Sequence, residues 1–576
     1  MASRRGTGVP HDALRAARHM TAGGCCVAAA FAVLALSPGW GQTDVTPSVI
    51  RTMPTAPAQS PFDLSGPSRA QRGAATEGIA PEGQFDAGLD LAAVYASNAQ
   101  GGPVSQADEY LRGQLNLAYQ YMGPRLTASA AYALTGLYHA RFNHLNRIEN
   151  RLNLTADGEA YPETLFVHAR AFAEPLQLTR VGSISPGGGS ISDLNSRDTY
   201  GYSVGPELRF DLSDFASSTT SATQGGVFFV RPTTGNPGVA PPVALPQNTQ
   251  SIDVSEKIAS GPAFTQMQWT IVGSYDEQSQ KAQTDRQYGG ALSINYALTR
   301  WLAVVGTGGY SNFKATVPLT RDLNGPIGLG GVRLTYGTTF SLTVEGGIQH
   351  NFTSYLGSLQ WAWSPLTQLM GFATDSVTTP QSSLLSNLTT LAAIPGGGFS
   401  SGWSQYGATS SGWSDFGATS GEPLTSGSDI VSLVPTNGLP LDNAIYRDRS
   451  GGLTLSHTLE RTTLSLSGFA TVRDQLSKLP IEPTTRTSMF GGRLAAIRQM
   501  WPDLQGTAEV SYTFANEFGG HDRILSAQLG ALYHMSDYID LFGTANYIRR
   551  DGRNLIGVPN AALSDIVLMI GVKARI

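Results

Sequence analysis

LSDIVLMIGVKARI, at residues 563–576, alternates two kinds of side chain with a period of two. One set is wholly apolar: Ile566, Leu568, Ile570, Val572, Ala574 and Ile576. The other set is mixed and includes Val567, Met569, Lys573 and Arg575. Because successive side chains of a β-strand point to opposite faces, this pattern predicts a strand with one apolar and one mixed face.

The same alternation starts at Phe85 and recurs along the rest of the chain. Every odd-numbered residue from Phe85 to Tyr95 is apolar. The polar sides of the first two predicted strands, 85–96 and 110–121, carry Asp86, Asp90, Arg112, Gln114 and Asn116. Continued to the C-terminus, the pattern predicts about 22 strands. The segments 216–231 and 249–260 are the least regular, so 18 or 20 strands remain alternatives.

Composition limits the class of protein. Charged residues make up 14% of the 576 residues, against about 25% in soluble domains, and the chain has 66 glycines and 32 prolines. The mean hydropathy of -0.11 excludes a bundle of transmembrane helices, which would need runs of about 20 apolar residues. The net charge of -5 gives no reason to expect a nucleic-acid partner. The composition therefore favours a β-rich protein outside the cytosol.

The connections distinguish a membrane barrel from a soluble β-sandwich. Short turns, such as 122–124, 299–300 and 536–537, alternate with longer polar stretches, such as Asp276 to Arg286 and Thr316 to Pro326. Transmembrane barrels have short periplasmic turns and longer external loops, and an even strand number. We therefore predict an all-β, transmembrane antiparallel β-barrel of about 22 strands (18–22) over 85–576, with a flexible N-terminal tail.

The N-terminus predicts export. Arg4, Arg5, Arg15 and Arg18 precede an apolar run from Cys25 to Leu36, which is too short to span a bilayer. This is typical of a signal peptide, here 1–41, cleaved near Gln42. Residues 42–84 are rich in Pro, Thr, Ala and Ser, which predicts a disordered periplasmic tail. The barrel would then lie in a Gram-negative outer membrane.

One connection, 378–442, is far longer than usual, and it is the only external connection that we expect to be long enough to enter the lumen. It contains a tandem decapeptide at 401–420, SGWSQYGATS followed by SGWSDFGATS. Such a repeat can be a low-complexity duplication without function. Alternatively, its aromatic side chains stack on sugar rings. These candidate saccharide-contacting residues are Trp403, Tyr406, Trp413 and Phe416.

Catalytic motifs are lacking. The sequence has no GxSxG, HExxH, P-loop or EF-hand pattern. His139 and His144 form an H-x4-H pair without a cysteine pair to complete a zinc site. His457 and His534 fall on predicted strands, where a lumen wall or a structural role is expected. We therefore expect no enzymatic activity, no cofactor, no metal and no catalytic residue.

If the apolar faces point to lipid, the opposite faces line the lumen. The candidate lumen-lining residues include Asp86, Asp90, Arg112, Gln114, Asn116, Arg209, Arg333 and Glu345. A lining with both signs of charge and with amides suits neutral or weakly charged hydrophilic solutes such as saccharides. Alternatively, these charges only pair with one another across the wall.

Several stretches resemble one family. They are NRLNLTADGE (150–159) followed by LFV (165–167), SGPAF (260–264) leading to Trp269, YALTRW (296–301), QWAWSPLT (360–367) and LSHTLERTTLSLSG (455–468). Over 85–576 the chain resembles the outer-membrane β-barrel proteins associated with PEP-CTERM/exosortase and exopolysaccharide gene clusters, and more loosely the porins of polysaccharide loci. The resemblance implies a barrel architecture but supplies no functional residues.

The leading hypothesis is a non-enzymatic outer-membrane barrel for exopolysaccharide export or surface assembly. A structural or adhesion barrel without an open pore and a general diffusion porin are the alternatives. The expected partners are outer-membrane lipid, the outer-membrane barrel insertion machinery, and polysaccharide or polysaccharide-export components.

Overall fold

The computed structural model describes residues 82–99, 105–177, 196–230, 247–281, 283–382, 444–477, 486–517, 520–553 and 563–575. These residues form one sheet of 22 antiparallel strands in which each strand pairs with its neighbours in sequence. The first strand also pairs with the last, with Gly88 opposite Arg575 and Ala96 opposite Val567. The sheet is therefore a closed barrel without free edges, which confirms the predicted antiparallel barrel of about 22 strands. The predicted signal peptide, 1–41, and the predicted tail up to residue 81 lie outside the described residues, whereas 82–84, predicted as the end of the tail, belong to the first strand.

The strands are β1 Glu82–Ala96, β2 Asp108–Met122, β3 Leu126–His139, β4 Arg147–Tyr161, β5 Leu165–Gln177, β6 Ser196–Leu212, β7 Ala216–Val230, β8 Thr249–Ser260, β9 Met267–Gln280, β10 Thr284–Ala297, β11 Leu302–Ala315, β12 Gly325–Tyr336, β13 Phe340–Gln349, β14 Phe352–Ser364, β15 Thr367–Thr378, β16 Tyr446–Leu459, β17 Thr462–Gln475, β18 Arg486–Trp501, β19 Leu504–Glu517, β20 Gly520–His534, β21 Ile539–Arg553 and β22 Leu563–Arg575. The two least regular predictions, 216–231 and 249–260, correspond to β7 and β8.

One predicted loop is wrong. The polar stretch Asp276 to Arg286 was expected to connect two strands, but β9 continues to Gln280 and β10 begins at Thr284. Asp276 pairs in register with Gln287, and Arg286 contacts Glu277 at 3.0 Å. The polarity of this stretch therefore marks strand ends that extend beyond the apolar zone, where side chains on both faces can be polar.

The alternation of short turns and long loops is also less strict than expected. At the end of the barrel with the shorter turns, Ser213 and Gly337 adopt positive φ angles in tight connections. At the opposite end, β13 and β14 are joined by only His350 and Asn351, whose φ angles of 48° and 58° suit a two-residue hairpin turn. The β3–β4 connection holds a single 3-10 turn, Asn143–Leu145.

The outer surface of the barrel is apolar. On β22, Leu568 is 47% exposed and Ile570 is 71% exposed, and on β10 Leu292 is 41% exposed. Near the ends of strands this face carries exposed aromatic side chains, including Trp361 and Trp363, whose rings stack with centroids 5.1 Å apart. An outward apolar band with aromatic side chains is the surface of an outer-membrane barrel in lipid. Within the described part of the chain, no helix is long and apolar enough to cross a bilayer.

Candidate functional site

The inner wall of the barrel is the candidate site, because the outer wall faces lipid and cannot hold a hydrophilic solute. Each strand presents to it the residues that alternate with the outward apolar ones. All eight lumen-lining candidates lie on this inner face: Asp86, Asp90, Arg112, Gln114, Asn116, Arg209, Arg333 and Glu345. Asp90, Arg112, Gln114 and Glu345 are buried there, whereas Asp86 and Arg209 are exposed.

Four of these residues form one chain of hydrogen bonds across β1 and β2. Arg112 Nη2 donates to Gln114 Oε1, and Gln114 Nε2 donates to Asn116 Oδ1 at 2.6 Å. Asn116 Nδ2 in turn donates to Asp90 Oδ2 at 2.8 Å. The guanidinium and the carboxylate are thus linked through two amides instead of meeting directly. The alternating sequence pattern placed these side chains on one face, but it did not predict this order of donors and acceptors.

Most inward charges pair with an opposite charge nearby. Arg147 Nη2 contacts Glu149 Oε1 at 2.6 Å on β4, and Arg493 Nη2 contacts Glu509 Oε2 at 2.7 Å between β18 and β19. Further inward pairs are Arg170 with Asp157, Arg209 with Glu207, Arg473 with Asp448, Arg550 with Asp522 and Arg575 with Asp540. Since the pairs neutralise one another, the wall has charged groups of both signs but little reason to select strongly for cations or anions.

Between these pairs the wall is rich in hydroxyl groups. Five cross-strand pairs of hydroxyls lie on the inner face with oxygen–oxygen distances between 2.7 and 3.3 Å. They are Ser129 with Thr155, Ser221 with Ser255, Ser293 with Thr307, Ser450 with Thr471, and Ser511 with Ser526. Each hydroxyl can donate one hydrogen bond and accept two, so each pair retains capacity for a further partner.

One part of the wall, on β8, β9 and β10, is acidic. Asp253 and Asp276 face each other in register, and Asp285 accepts a hydrogen bond from Gln283 at 2.6 Å. Gln280, only 8% exposed, has no hydrogen-bond partner for its amide among the described residues. These acidic residues are not among the candidates predicted from the sequence, although the alternation of Asp253 with the apolar Ile252 and Val254 on β8 marks it as an inward residue.

At the end of the barrel opposite the shorter turns, chain segments extend across one part of the mouth. Thr379, the residue after β15, donates from Oγ1 to Gln278 Oε1 of β9 at 2.7 Å, although five strands separate β9 from β15 in the sheet. The β11–β12 connection reaches the end of β17, where the Thr320 amide donates to the Leu476 carbonyl at 2.7 Å. An apolar cluster joins these segments: Phe313, Leu323, Val377, Ile445 and Leu476.

These contacts correct the expectation that only 378–442 is long enough to enter the lumen, since the β11–β12 connection, 316–324, also reaches across the mouth. Trp403, Tyr406, Trp413 and Phe416 lie outside the described residues. The described ends of the long connection are buried, with Thr379 at 3% and Ala444 at 0% exposure. Both described ends of the long connection therefore lie inside the mouth of the barrel and not on its outer rim.

Three histidines that the sequence analysis considered, His139, His457 and His534, have hydrogen-bond partners. His139 Nδ1 lies 2.9 Å from Asp108 Oδ2, and its ring stacks on Tyr110 with centroids 4.5 Å apart. His534 Nδ1 lies 2.8 Å from Asp540 Oδ1 on the inner face. His457, for which a lumen position was one expectation, lies on the outward side of β16 with its Nδ1 2.7 Å from the Thr367 hydroxyl. In the described ranges, no group of three or more His, Cys, Asp or Glu side chains could hold a metal ion.

No protein-family model and no curated protein matches the chain. Among solved structures, it is similar to the ferric enterobactin receptor PfeA of Pseudomonas aeruginosa (double mutant R480A_Q482A), with 11% identity, a TM-score of 0.41, and 86% of this chain covered against 80% of that one. It is also similar to the siderophore receptor PirA of Acinetobacter baumannii, with 8% identity, a TM-score of 0.40, and coverage of 87% and 81%. Likenesses at this level support no statement about what this chain binds.

Proposed function

We propose that this outer-membrane barrel provides a passage for neutral or weakly charged, hydroxyl-rich chains, and that it serves exopolysaccharide export or surface assembly. The observation that carries the proposal is the inner wall, where paired charges alternate with cross-strand hydroxyl pairs such as Ser129 with Thr155 at 2.7 Å. Hydroxyls and amides exchange hydrogen bonds with sugar hydroxyls at little electrostatic cost. The resemblance of the sequence to barrels of exopolysaccharide gene clusters supports the same substrate class.

The five cross-strand hydroxyl pairs of the inner face suit a chain-like solute better than a single small molecule. Pairs occur on β3 and β4, on β7 and β8, on β10 and β11, on β16 and β17, and on β19 and β20, so they are distributed around the whole circumference. A repeating polymer would find weak, equivalent contacts on every side. Weak and repeated contacts allow a solute to enter and also to leave.

Planar-bilayer recording of the purified barrel tests the proposal. We expect a reversal potential close to zero in a KCl gradient, because most of the wall charges are paired and the acidic part is confined to β8, β9 and β10. We also expect reversible current blocks by a neutral oligosaccharide added to one side. The double variant Ser129→Ala with Thr155→Val should shorten these blocks. Thr353→Val, on the outer side of β14, is the control and should leave them unchanged. Strong ion selectivity, or blocks that do not depend on the inner hydroxyls, would contradict the proposal.

The contacts across the mouth favour a second candidate, a structural or adhesion barrel without an open passage. Thr379 and Gln278, together with the cluster around Leu323, hold chain segments over part of the lumen. In that case the reconstituted barrel conducts no ions under any condition, and deletion of the crossing segments does not restore polysaccharide passage. A general diffusion porin would instead conduct and pass small solutes without blocks by oligosaccharides.

A further inference from the structure

The acidic part of the inner wall differs from the rest of the wall in its charge pairing. Asp253 on β8 and Asp276 on β9 lie directly opposite each other in register, and Asp285 lies on the inward face of β10. Within the described ranges, neither Asp253 nor Asp285 forms an ion pair with a basic side chain. We call Asp253, Asp276 and Asp285 the acidic strip.

The basic residues of the surrounding strands do not neutralise this strip. Arg286 on β10 and Lys314 on β11 are on the outer face, where they contact Glu277 and the Tyr288 ring. Lys257 is the basic residue of β8, but it lies four positions from Asp253, which is about 13 Å along the strand. Like charges directly opposite each other on adjacent strands are destabilising. A cation from outside the chain would therefore stabilise the acidic strip.

Buried polar atoms beside the strip also lack partners. Gln283 donates to Asp285 Oδ2 at 2.6 Å, but Oδ1 has no hydrogen-bond partner among the described residues, although Asp285 is only 4% exposed. Gln280 lies on the same inward face, two positions beyond Gln278, which is in register with Asp285. It is 8% exposed, and both its amide oxygen and its amide nitrogen lack a partner in the described part of the chain. Because buried polar groups are normally hydrogen-bonded, these atoms indicate a polar ligand.

A protonated primary amine suits the strip better than a metal ion does. In the described ranges, no group of three or more His, Cys, Asp or Glu side chains could hold a metal. Asp285 is in register with Gln278, two positions beyond Asp276, so the strip extends about 7 Å toward the mouth instead of converging on one point. An ammonium group has three donors and one charge. It can lie between the facing carboxylates of Asp253 and Asp276 and still donate a third hydrogen bond.

Hydroxyl groups continue the inner face from the strip toward the shorter-turn end. Ser255, two positions from Asp253 on β8, is in register with Ser274 of β9. It also shares a hydrogen bond of 2.7 Å with Ser221 of β7. A solute that carries an amino group and several hydroxyls can therefore contact carboxylates and hydroxyls of the same strands at once. Amino sugars have this combination of groups.

We propose that the acidic strip binds the protonated amino groups of a polysaccharide that contains free, non-acetylated amino sugars. This substrate class rests on the passage of hydroxyl-rich chains proposed above, which it narrows. The ammonium of one sugar unit lies between Asp253 and Asp276, and hydroxyls of the chain contact Ser255. Nearer the mouth, Asp285 Oδ1 and the Gln280 amide accept and donate hydrogen bonds to a further unit.

Current blocks in planar bilayers test the proposal with two probes of equal length. In a weakly acidic buffer that protonates its amines, a glucosamine tetramer should block the barrel about tenfold longer than the N-acetylglucosamine tetramer, because hydrogen bonds to charged groups are stronger than those between neutral groups. Asp253→Asn should remove most of this difference. Glu277→Gln makes the same change of charge on the outer face of β9, so it is the matched control and should retain the difference.

The outcomes separate this proposal from the proposed function. Equal blocks by the two tetramers, or no effect of Asp253→Asn, would overturn the role of the strip and leave the passage of neutral chains intact. Absence of blocks by both tetramers would contradict the passage itself, and the role of the strip with it. Heat-modifiable migration verifies that Asp253→Asn is folded, as expected because the substitution relieves the repulsion with Asp276.

An aliphatic tetra-amine distinguishes an amino sugar from a simple polyamine. It carries the same charge as the glucosamine tetramer but no ring hydroxyls, so it should give shorter blocks than the glucosamine tetramer does. Blocks of equal length that also depend on Asp253 would assign the strip to polyamines and overturn the proposal.

Discussion

Thr379 Oγ1 donates a hydrogen bond of 2.7 Å to Gln278 Oε1, although Gln278 lies on β9, Thr379 follows β15, and five strands separate these two strands in the sheet. Both residues are buried, at 3% and 6% exposure. The long connection after β15 therefore leaves the wall inward, toward β9. This contact and the apolar cluster of Phe313, Leu323, Val377, Ile445 and Leu476 hold chain segments over part of the mouth.

Removing this contact should open the mouth more often. We expect Thr379→Val to raise the single-channel open fraction several-fold, because a net hydrogen bond contributes about 1 kcal/mol and the Gln278 carbonyl loses its partner. Recording in planar bilayers measures the open fraction. Thr544→Val, on the inner side of β21 and away from the mouth contact, should have no effect. An unchanged open fraction in Thr379→Val would mean that the contact does not control passage.

The two faces of the wall should respond differently to a new charge. Leu568→Arg and Leu292→Arg place a guanidinium on the lipid face, with an expected cost of about 2–4 kcal/mol near the midplane. Asn116→Arg places the same group on the inner face beside Asp90, where the carboxylate can compensate the charge. The Gln114 amide loses its acceptor, so we expect a small cost of about 1 kcal/mol, below that of either outward variant. Urea unfolding of the barrel in lipid vesicles gives the three free energies. Equal stability of all three variants would show that the assignment of Leu568 and Leu292 to the lipid face and of Asn116 to the inner face is wrong.

The stability of the barrel should be sensitive to removal of one partner from the buried pair of Arg550 and Asp522. Arg550 Nε lies 2.9 Å from Asp522 Oδ1, and both side chains are almost fully buried. Arg550→Ala leaves a buried carboxylate without its cation, so we expect a loss of about 3–5 kcal/mol in the free energy of unfolding.

The matched control for this pair is the double variant Arg550→Ala with Asp522→Ala. It removes both charges and should recover a large part of the loss, because no uncompensated charge remains. Both variants are compared in the same vesicle unfolding assay. If the double variant is as unstable as Arg550→Ala, the pair matters through packing and not through charge.

The tandem repeat should affect saccharide binding without affecting the fold. Replacing Trp403, Tyr406, Trp413 and Phe416 by Ala alters no strand, so the heat-modifiable barrel should persist. We expect polysaccharide binding to weaken by about 1 kcal/mol per lost stacking face, by analogy with aromatic contacts elsewhere. Titration with a polysaccharide fragment measures this loss.

Deletion of 385–436 should in addition raise the single-channel conductance, because the ends of this connection are buried in the mouth. A variant with shortened residues 178–195, another external connection, is the control and should conduct like the original protein. Unchanged conductance after the deletion, together with normal polysaccharide export, would leave the repeat as a duplication without function.

Much of the architecture was determined by the sequence alone. The strict alternation in segments such as 85–96 and 563–576 predicts which face of each strand is turned to lipid, because a strand in lipid must present apolar groups on one face along its whole length. It also predicts a strand number of about 22, with 18 or 20 left as alternatives. A one-residue shift would turn every charge on Asp90, Arg112 and their neighbours into the membrane. The same constraint made even the less regular strands β7 and β8 identifiable.

Only the tertiary structure decided what the inward and outward polar groups contact. The chain of hydrogen bonds from Arg112 to Asp90 depends on the register of the adjacent strands β1 and β2. The contact of Thr379 with Gln278 joins residues 101 positions apart in sequence and depends on the curvature of the whole barrel. Alternation gives the face of each side chain but not the relative height of strands that are not adjacent. The pairing of Glu256 with Ser218 and Thr220 likewise depends on the register of β7 with β8. Sequence periodicity determines facing because it acts within one strand, whereas contacts across the lumen depend on how all 22 strands close into a barrel.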